Sequence, residues 1–157
     1  RQLMGNPKEV ITKLNDLIAE NKSLRKEMEK MEADKALRLQ HELSESVRRN
    51  SAGVNYIISR TELSDNKLLK NIGFNLARES GDALVALINC YDEKVTIQIN
   101  ISESLADKKI YNAGELVRQL APLIGGGGGG QVGYATAGGN NVSGIDSVLE
   151  QLTQLVE

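Results

Sequence analysis

The sequence predicts an α+β protein, an α/β sandwich in which a mixed β-sheet with helices packed on it follows a long N-terminal helical stalk. Three observations predict it. Apolar residues recur at alternating spacings of four and three from Val10 to Met31. A nearly unbroken apolar run, Ala83 to Tyr91, is followed closely by strict alternation at Val95, Ile97, Ile99 and Ile101. Six glycines, Gly125 to Gly130, stand between an amphipathic stretch and the alternating segment Tyr134-Ala135-Thr136-Ala137.

Residues Pro7 to about Arg49 read as one helix, with Pro7 in the first turn, where its missing N–H is harmless. Val10, Leu14, Leu17, Asn21, Leu24, Met28 and Met31 form a heptad seam, and Leu39, Leu43 and Val47 continue along a rotated one. A helix of roughly forty residues is about 60 Å long and cannot make a core from so narrow a stripe. It therefore needs a partner helix, in a second copy of the chain or elsewhere in a longer parent protein. Asn21 at a core position is the residue type that fixes register in parallel dimers. His41 lies among Gln40, Glu42 and Glu45 and reads as a solvated surface residue.

The cluster Arg49-Asn50-Ser51-Ala52-Gly53 breaks the pattern and divides the chain into a stalk, 1–49, and a globular domain, 50–157. Val54 to Arg60 then reads as a strand. Ser64 is placed to cap a helix from Asp65 to Ser80, with Gly81 as its stop. Ala83 to Tyr91 suits a strand buried on both faces. The alternation of Val95, Ile97, Ile99 and Ile101 with Thr96, Gln98 and Asn100 predicts a strand with one wet face, joined to the previous one by a hairpin at Asp92-Glu93.

Ser102 to Lys109 reads as a short helix. Asn112-x-x-Glu115 is a capping-box pattern for the next, Ala113 to Ile124, whose last turn Pro122 loosens. After the Ala-Thr-Ala strand, Ser143-x-x-Asp146 predicts the cap of a final helix with Ile145, Val148, Leu149, Leu152 and Leu155 inward. The predicted order is β-α-β-β-α-β-α after the stalk.

The glycine run has two readings, a flexible linker or a loop whose bare main chain packs closely against a sheet or a nucleic-acid backbone. Its tight flanks favour the second. A dinucleotide fingerprint is matched trivially by any six glycines, and this run leaves a helix where that motif leaves a strand; a P-loop needs Lys-Ser or Lys-Thr where Gln131-Val132 stands.

Asn112-Ala113-Gly114-Glu115-Leu116-Val117, then Leu120-Ala121 and Ile124, then the glycines and Ala135-Thr136-Ala137-Gly138-Gly139, resemble the carboxy-terminal domain of alanyl-tRNA synthetases. That module is shared with DHH-family phosphoesterases as their DHH-associated domain. Asn6-Pro7-Lys8-Glu9 and the charged helix after it are similar to the coiled-coil segment preceding it in bacterial-type synthetases, so the resemblance covers essentially the whole chain. Two departures stand out. The family often has a lysine or arginine inside the run, where this chain has Gly127 or Gly128, and an arginine after it, where this chain has Gln131.

The resemblance implies a non-catalytic, C-Ala-like region that contacts the outer corner of alanine tRNA, links aminoacylation and editing domains upstream in the same chain, and forms a homodimer through the stalk. ATP, Mg and Zn would belong to the parent ligase and not to this segment, for which no cofactor is expected. The candidate nucleic-acid contacts are Gly128, Gly129, Gly130, Gln131, Tyr134, Gly138, Gly139, Asn140 and Asn141. Candidate dimer contacts are Val10, Leu14, Leu17, Asn21, Leu24, Met28 and Met31.

The residues themselves are consistent with binding without catalysis. A chain of 157 residues with one Cys, one His and no Trp lacks the clusters that zinc sites need. Triad catalysis needs a base beside the nucleophile, and His41 lies on the stalk, apart from the serines of the domain. Cys90 reads as a core residue. One cysteine and no apolar run of about twenty residues point to a reducing, cytoplasmic setting without a membrane span. The chain starts without Met, as expected of a piece of something longer.

Residues 50–157 hold 8 Lys+Arg and 12 Asp+Glu, a balance of −4, so RNA affinity through phosphates alone should be weak. Tyr134 has the chemistry to stack on a base or ribose, and the main chain after Gly138-Gly139 leads to a helix amino end that favours an anion. Packing roles serve equally well for Tyr134, for the glycine run and for Gly138-Gly139. Two other functions fit the pattern: the substrate-binding accessory domain of a DHH-family phosphoesterase, and a purely structural coiled-coil assembly module.

Overall fold

A computed structural model describes residues 6–157; residues 1–5 of the predicted stalk lie outside the described residues. The chain divides into two compact units, Arg1–Lys35 and Ala36–Glu157. Helix α1, Pro7–Glu45, runs through both.

In the first unit the predicted seam is open to solvent. Leu14, Leu17, Leu24, Met28 and Met31 are between 52% and 70% exposed, and Ile11 and Ile18 widen the stripe. Asn21 is exposed on it and Val10 is half-buried.

The second unit begins at Ala36, upstream of the residue-50 boundary read from composition, because Ala36 and Leu43 of α1 are buried in its core. Helix α1 stops at Glu45, short of Arg49, and Arg48–Arg49 forms a short strand, β1, antiparallel to β2, Asn55–Thr61. Asn50 makes the turn between them. Its Oδ1 accepts from the Ala52 and Val54 amides, and its own amide donates to the Val54 carbonyl.

The other strands are β3 (Ala83–Tyr91), β4 (Lys94–Ile101), β5 (Gly127–Gly130) and β6 (Tyr134–Gly139). They form a mixed sheet in the order β1-β2-β3-β4-β6-β5, in which only β2 and β3 are parallel. The β2–β3 crossover is α2, Asn66–Glu79, capped by Asp65, whose side chain accepts from the Lys67 amide at 2.8 Å. Ser64, the predicted cap, lies one residue outside. Gly81, at φ +72°, ends the crossover as expected.

Helices cover both faces of the sheet. On one side α2 and the end of α1 pack on Ile57, Val85 and Leu87 through Leu69, Ile72, Leu76 and Leu43. On the other, α4 (Ala113–Leu120), a 3₁₀ turn (Ala121–Ile124) and α5 (Ile145–Val156) cover Leu84, Ala86, Ile88 and the apolar face of β4. Strand β3 is buried on both faces from Ala83 to Asn89, as its nearly unbroken apolar run predicts. A five-residue helix, α3 (Glu103–Asp107), follows β4, and Lys108 pairs with Asp82.

The predicted wet face of β4 is dry: Gln98 and Asn100 are 2% and 1% exposed. Helix α2 lies over them at Gly73, where an added Cβ would stand 2.2 Å from Asn100 Oδ1 and 2.3 Å from Gln98 Nε2. Missing bulk on the helix thus lets a polar sheet face be covered. Gln98 Nε2 donates to the Leu69 carbonyl at 3.0 Å and to Asn100 Oδ1 at 2.8 Å, while Asn100 Nδ2 has no partner.

The final helix also differs from its prediction. A 3₁₀ turn, Val142–Gly144, precedes α5, and Ser143 donates to Asn141 Oδ1 at 2.6 Å in place of capping the helix. Val156 is buried while Leu155 is exposed, because α5 continues one residue past the predicted stripe onto the core.

One polar group staples the β2–α2 connection. Asn89 Oδ1 accepts from Thr61 Oγ1 at 2.9 Å and from the Leu63 amide at 2.8 Å, and its Nδ2 donates to the Leu63 carbonyl at 2.9 Å. Asn89→Ala is expected to cost about 2–3 kcal/mol, since both main-chain groups of the fully buried Leu63 lose their partner. A urea midpoint unchanged from the parent chain would contradict this.

Candidate nucleic-acid interface

Glycine gives no alternation pattern, so the run read as a loop; its middle is in fact an edge strand. Gly127 to Gly130 pair antiparallel with Gly138 to Ala135 of β6. Both ends are tied to α4 and its 3₁₀ extension. Gly126 donates to the Ala121 carbonyl at 3.2 Å, and Gly125 closes the 3₁₀ turn at φ +65°. At the far end, the Gly114 amide donates to the Gln131 carbonyl at 3.0 Å and the Ala113 amide to Val132 at 2.9 Å. Asn112 caps α4 by accepting from the Glu115 amide, which fixes that anchor.

Alternate glycines in the run are not equivalent. A Cβ at Gly126, Gly128 or Gly130 would lie 1.8–2.4 Å from a main-chain oxygen of β6. At Gly127 nothing lies within 4 Å of that position, and at Gly129 the nearest atom is Arg118 Nε at 3.5 Å. Of Gly127 and Gly128, the two candidate places for a cation inside the run, Gly127 alone has room for a side chain.

The predicted contacts fall into two groups at opposite ends of β6. At one end Asn140 and Asn141 flank Gly125, and Asn141 Nδ2 donates to the Leu123 carbonyl at 3.2 Å. The 3₁₀ turn there separates Gly139 from the amino end of α5, so the predicted anion site is not a direct strand-to-helix step. At the other end Gln131 and Tyr134 line a cleft of about 1010 Å³ together with Phe74, Asn75 and Arg78.

Tyr134 does not stand alone. Its ring stacks on Phe74 at 5.1 Å between centroids, and Lys70 Nζ lies 5.2 Å from the Tyr134 centroid. Burial pushes the Tyr134 phenol above its ordinary pKa, so it is a neutral O–H donor at physiological pH. Phe74 and Lys70 were not singled out by sequence reasoning. The signal that marks them is an aromatic on α2 lying off the stripe of Leu69, Ile72 and Leu76.

Among the described residues no cluster of three or more His, Cys, Asp or Glu is placed to hold a metal, and no helix is long and apolar enough to cross a membrane. His41 is exposed, with Nε2 3.6 Å from Glu45 Oε1. Cys90 is half-buried against the core.

The DHHA1 domain family matches residues 53–157. Alanine–tRNA ligase of Cytophaga hutchinsonii is 31% identical over 156 residues, 99% of this chain and 18% of that protein. Its counterpart in Rickettsia felis is 36% identical over 155 residues, 98% of this chain and 17% of that protein. The chain thus spans less than a fifth of the length of the curated relatives it matches. In fold it is similar to the crystal structure of the C-Ala domain from Aquifex aeolicus alanyl-tRNA synthetase, with a TM-score of 0.59 and 22% identity over 66% of this chain and 91% of that one.

Proposed function

The chain belongs to the DHHA1 domain family, and from that premise we propose that it is the non-catalytic, tRNA-binding and oligomerising carboxy-terminal region of an alanine–tRNA ligase. One observation carries the reading. The similarity to alanine–tRNA ligases takes in 98–99% of the chain, the heptad helix as well as the domain, where a shared accessory domain alone would account only for residues 53–157. The helix-plus-domain combination favours the ligase over a phosphoesterase.

In this role the bare edge of the sheet meets the outer corner of alanine tRNA by shape and main chain. The exposed seam of α1 joins a second copy, because a stripe of Leu and Met more than half exposed is an unfilled coiled-coil face. Catalysis, with its ATP and metal ions, belongs to domains upstream.

Binding of labelled alanine tRNA to the full chain tests the first half. The expected result is weak, salt-sensitive binding with a log–log slope of roughly −2 to −3, corresponding to a few phosphates. No binding at low salt would remove the RNA role. Light scattering on the full chain and on a version starting at Ala36 tests the second half: a dimer that becomes a monomer on truncation supports the stalk, and a monomer in both refutes it.

A further inference from the structure

The chain has one Phe and no Trp, and that Phe is on the surface. Phe74 is 45% exposed on α2 and is stacked on Tyr134 with ring planes 29° apart. Lys70, one turn earlier, holds its ammonium 5.2 Å and 5.9 Å from the two ring centroids. Scattered exposed apolar residues need no explanation, but two stacked rings beneath a cation at the mouth of a large cleft form an ordered polar–aromatic platform.

The ground beside this platform is bare. Tyr134, Thr136 and Gly138 share one face of β6 by the two-residue period of a strand, and Gly127 and Gly129 stand opposite Gly138 and Thr136 on β5. At Gly138 and Gly127 nothing lies within 4 Å of where a side chain would begin. A largely bare strip of main chain, interrupted by the Thr136 side chain and flanked at Gly129 by Arg118, therefore runs from the aromatic pair toward the other end of β6. Glu103 and Asp107 line the cleft together with Arg78, and their carboxylates accept hydrogen bonds from amino groups.

We propose that Lys70, Phe74 and Tyr134 form a stacking site for one unpaired base of the bound RNA, whose adjoining phosphate sits on Lys70 and whose sugar–phosphate backbone follows the bare strip past Thr136 and Gly138. Stacking tolerates any base and supplies affinity that a domain of net negative charge cannot draw from phosphates alone. The site rests on the RNA-binding function proposed above for its ligand class. It runs the contact along β6 from Tyr134 to Gly138 and leaves Asn140 and Asn141 outside it.

The test uses the full chain and labelled alanine tRNA at low salt. Phe74→Ala and Gly138→Gln are expected to weaken binding about ten- to hundredfold while both still melt cooperatively, Phe74→Ala at a slightly lower midpoint from the lost ring stack; Asn140→Ala with Asn141→Ala should leave binding unchanged. Phe74→Trp retains the platform and introduces the only indole, whose fluorescence should be quenched as RNA is added. Wild-type chain that binds no tRNA overturns both the function and the site. Wild-type binding that Phe74→Ala and Gly138→Gln leave intact, or an indole signal that RNA does not alter, overturns the site alone.

Discussion

Replacing Gly128 with alanine is expected to destabilise the domain by about 3 kcal/mol or more, while the same change at Gly127 leaves stability unchanged or slightly raised. The new methyl at Gly128 would stand 2.2 Å from the Thr136 carbonyl oxygen and 2.4 Å from Ala137 Cα. These are main-chain atoms of β6, which is itself paired to β4, so no side chain can rotate away to make room. The strand must leave the sheet or the sheet must spread, and either exposes the Ala135–Ala137 face and unties α4 from Gln131. At Gly127 the methyl meets nothing, and alanine there restricts only the unfolded chain, a gain of about 0.4–1 kcal/mol. Urea midpoints for the two variants should separate clearly. Equal midpoints would refute the paired-strand account of the run and return it to a linker.

The second large effect belongs to Gly73. Gly73→Ala places a methyl against Asn100 Oδ1 and Gln98 Nε2, both fully buried and hydrogen-bonded to each other. Relief requires breaking that bond or lifting α2 from β4, and a loss of about 2–4 kcal/mol is expected. Pairing it with Asn100→Ala removes the obstructing oxygen. The double variant should then lose at least about 1 kcal/mol less than the sum of the two single changes in a denaturation cycle. Strict additivity would mean that Gly73 is not the contact through which the helix reaches the polar face.

Much of the fold was legible because its elements carry side-chain periodicity. The apolar run of β3, the hairpin at Asp92-Glu93, the Asn112 cap and the amphipathic α2 lie within a residue or two of their predicted places. Elements without such a pattern escaped. Gly127–Gly130 has no side chains to alternate, and Arg48–Arg49 is too short to show a period. The buried polar face of β4 misled for a different reason: alternation reports chemistry, and only the absence of a side chain on a facing helix, at Gly73, reveals that polar residues are covered.

For the candidate interface, Tyr134 was visible from its place after the glycines, whereas its neighbours Phe74 and Lys70 come from sixty residues earlier and meet it only through the crossover helix. Asn140 and Asn141 looked equivalent to Gln131 in sequence. The strand places them at the opposite end.

The glycine tract has one more consequence. A homopolymer offers its neighbour the same atoms at every step, so nothing within it prevents the segment from sliding along β6. Its position is set from outside, by Gly126 bonding back to Ala121 at one end and Gln131 clasped by Gly114 at the other. Beyond the bare main chain required at Gly126, Gly128 and Gly130, the register of this tract is therefore set by its length, much as a cord stretched between two posts is defined by the distance between them.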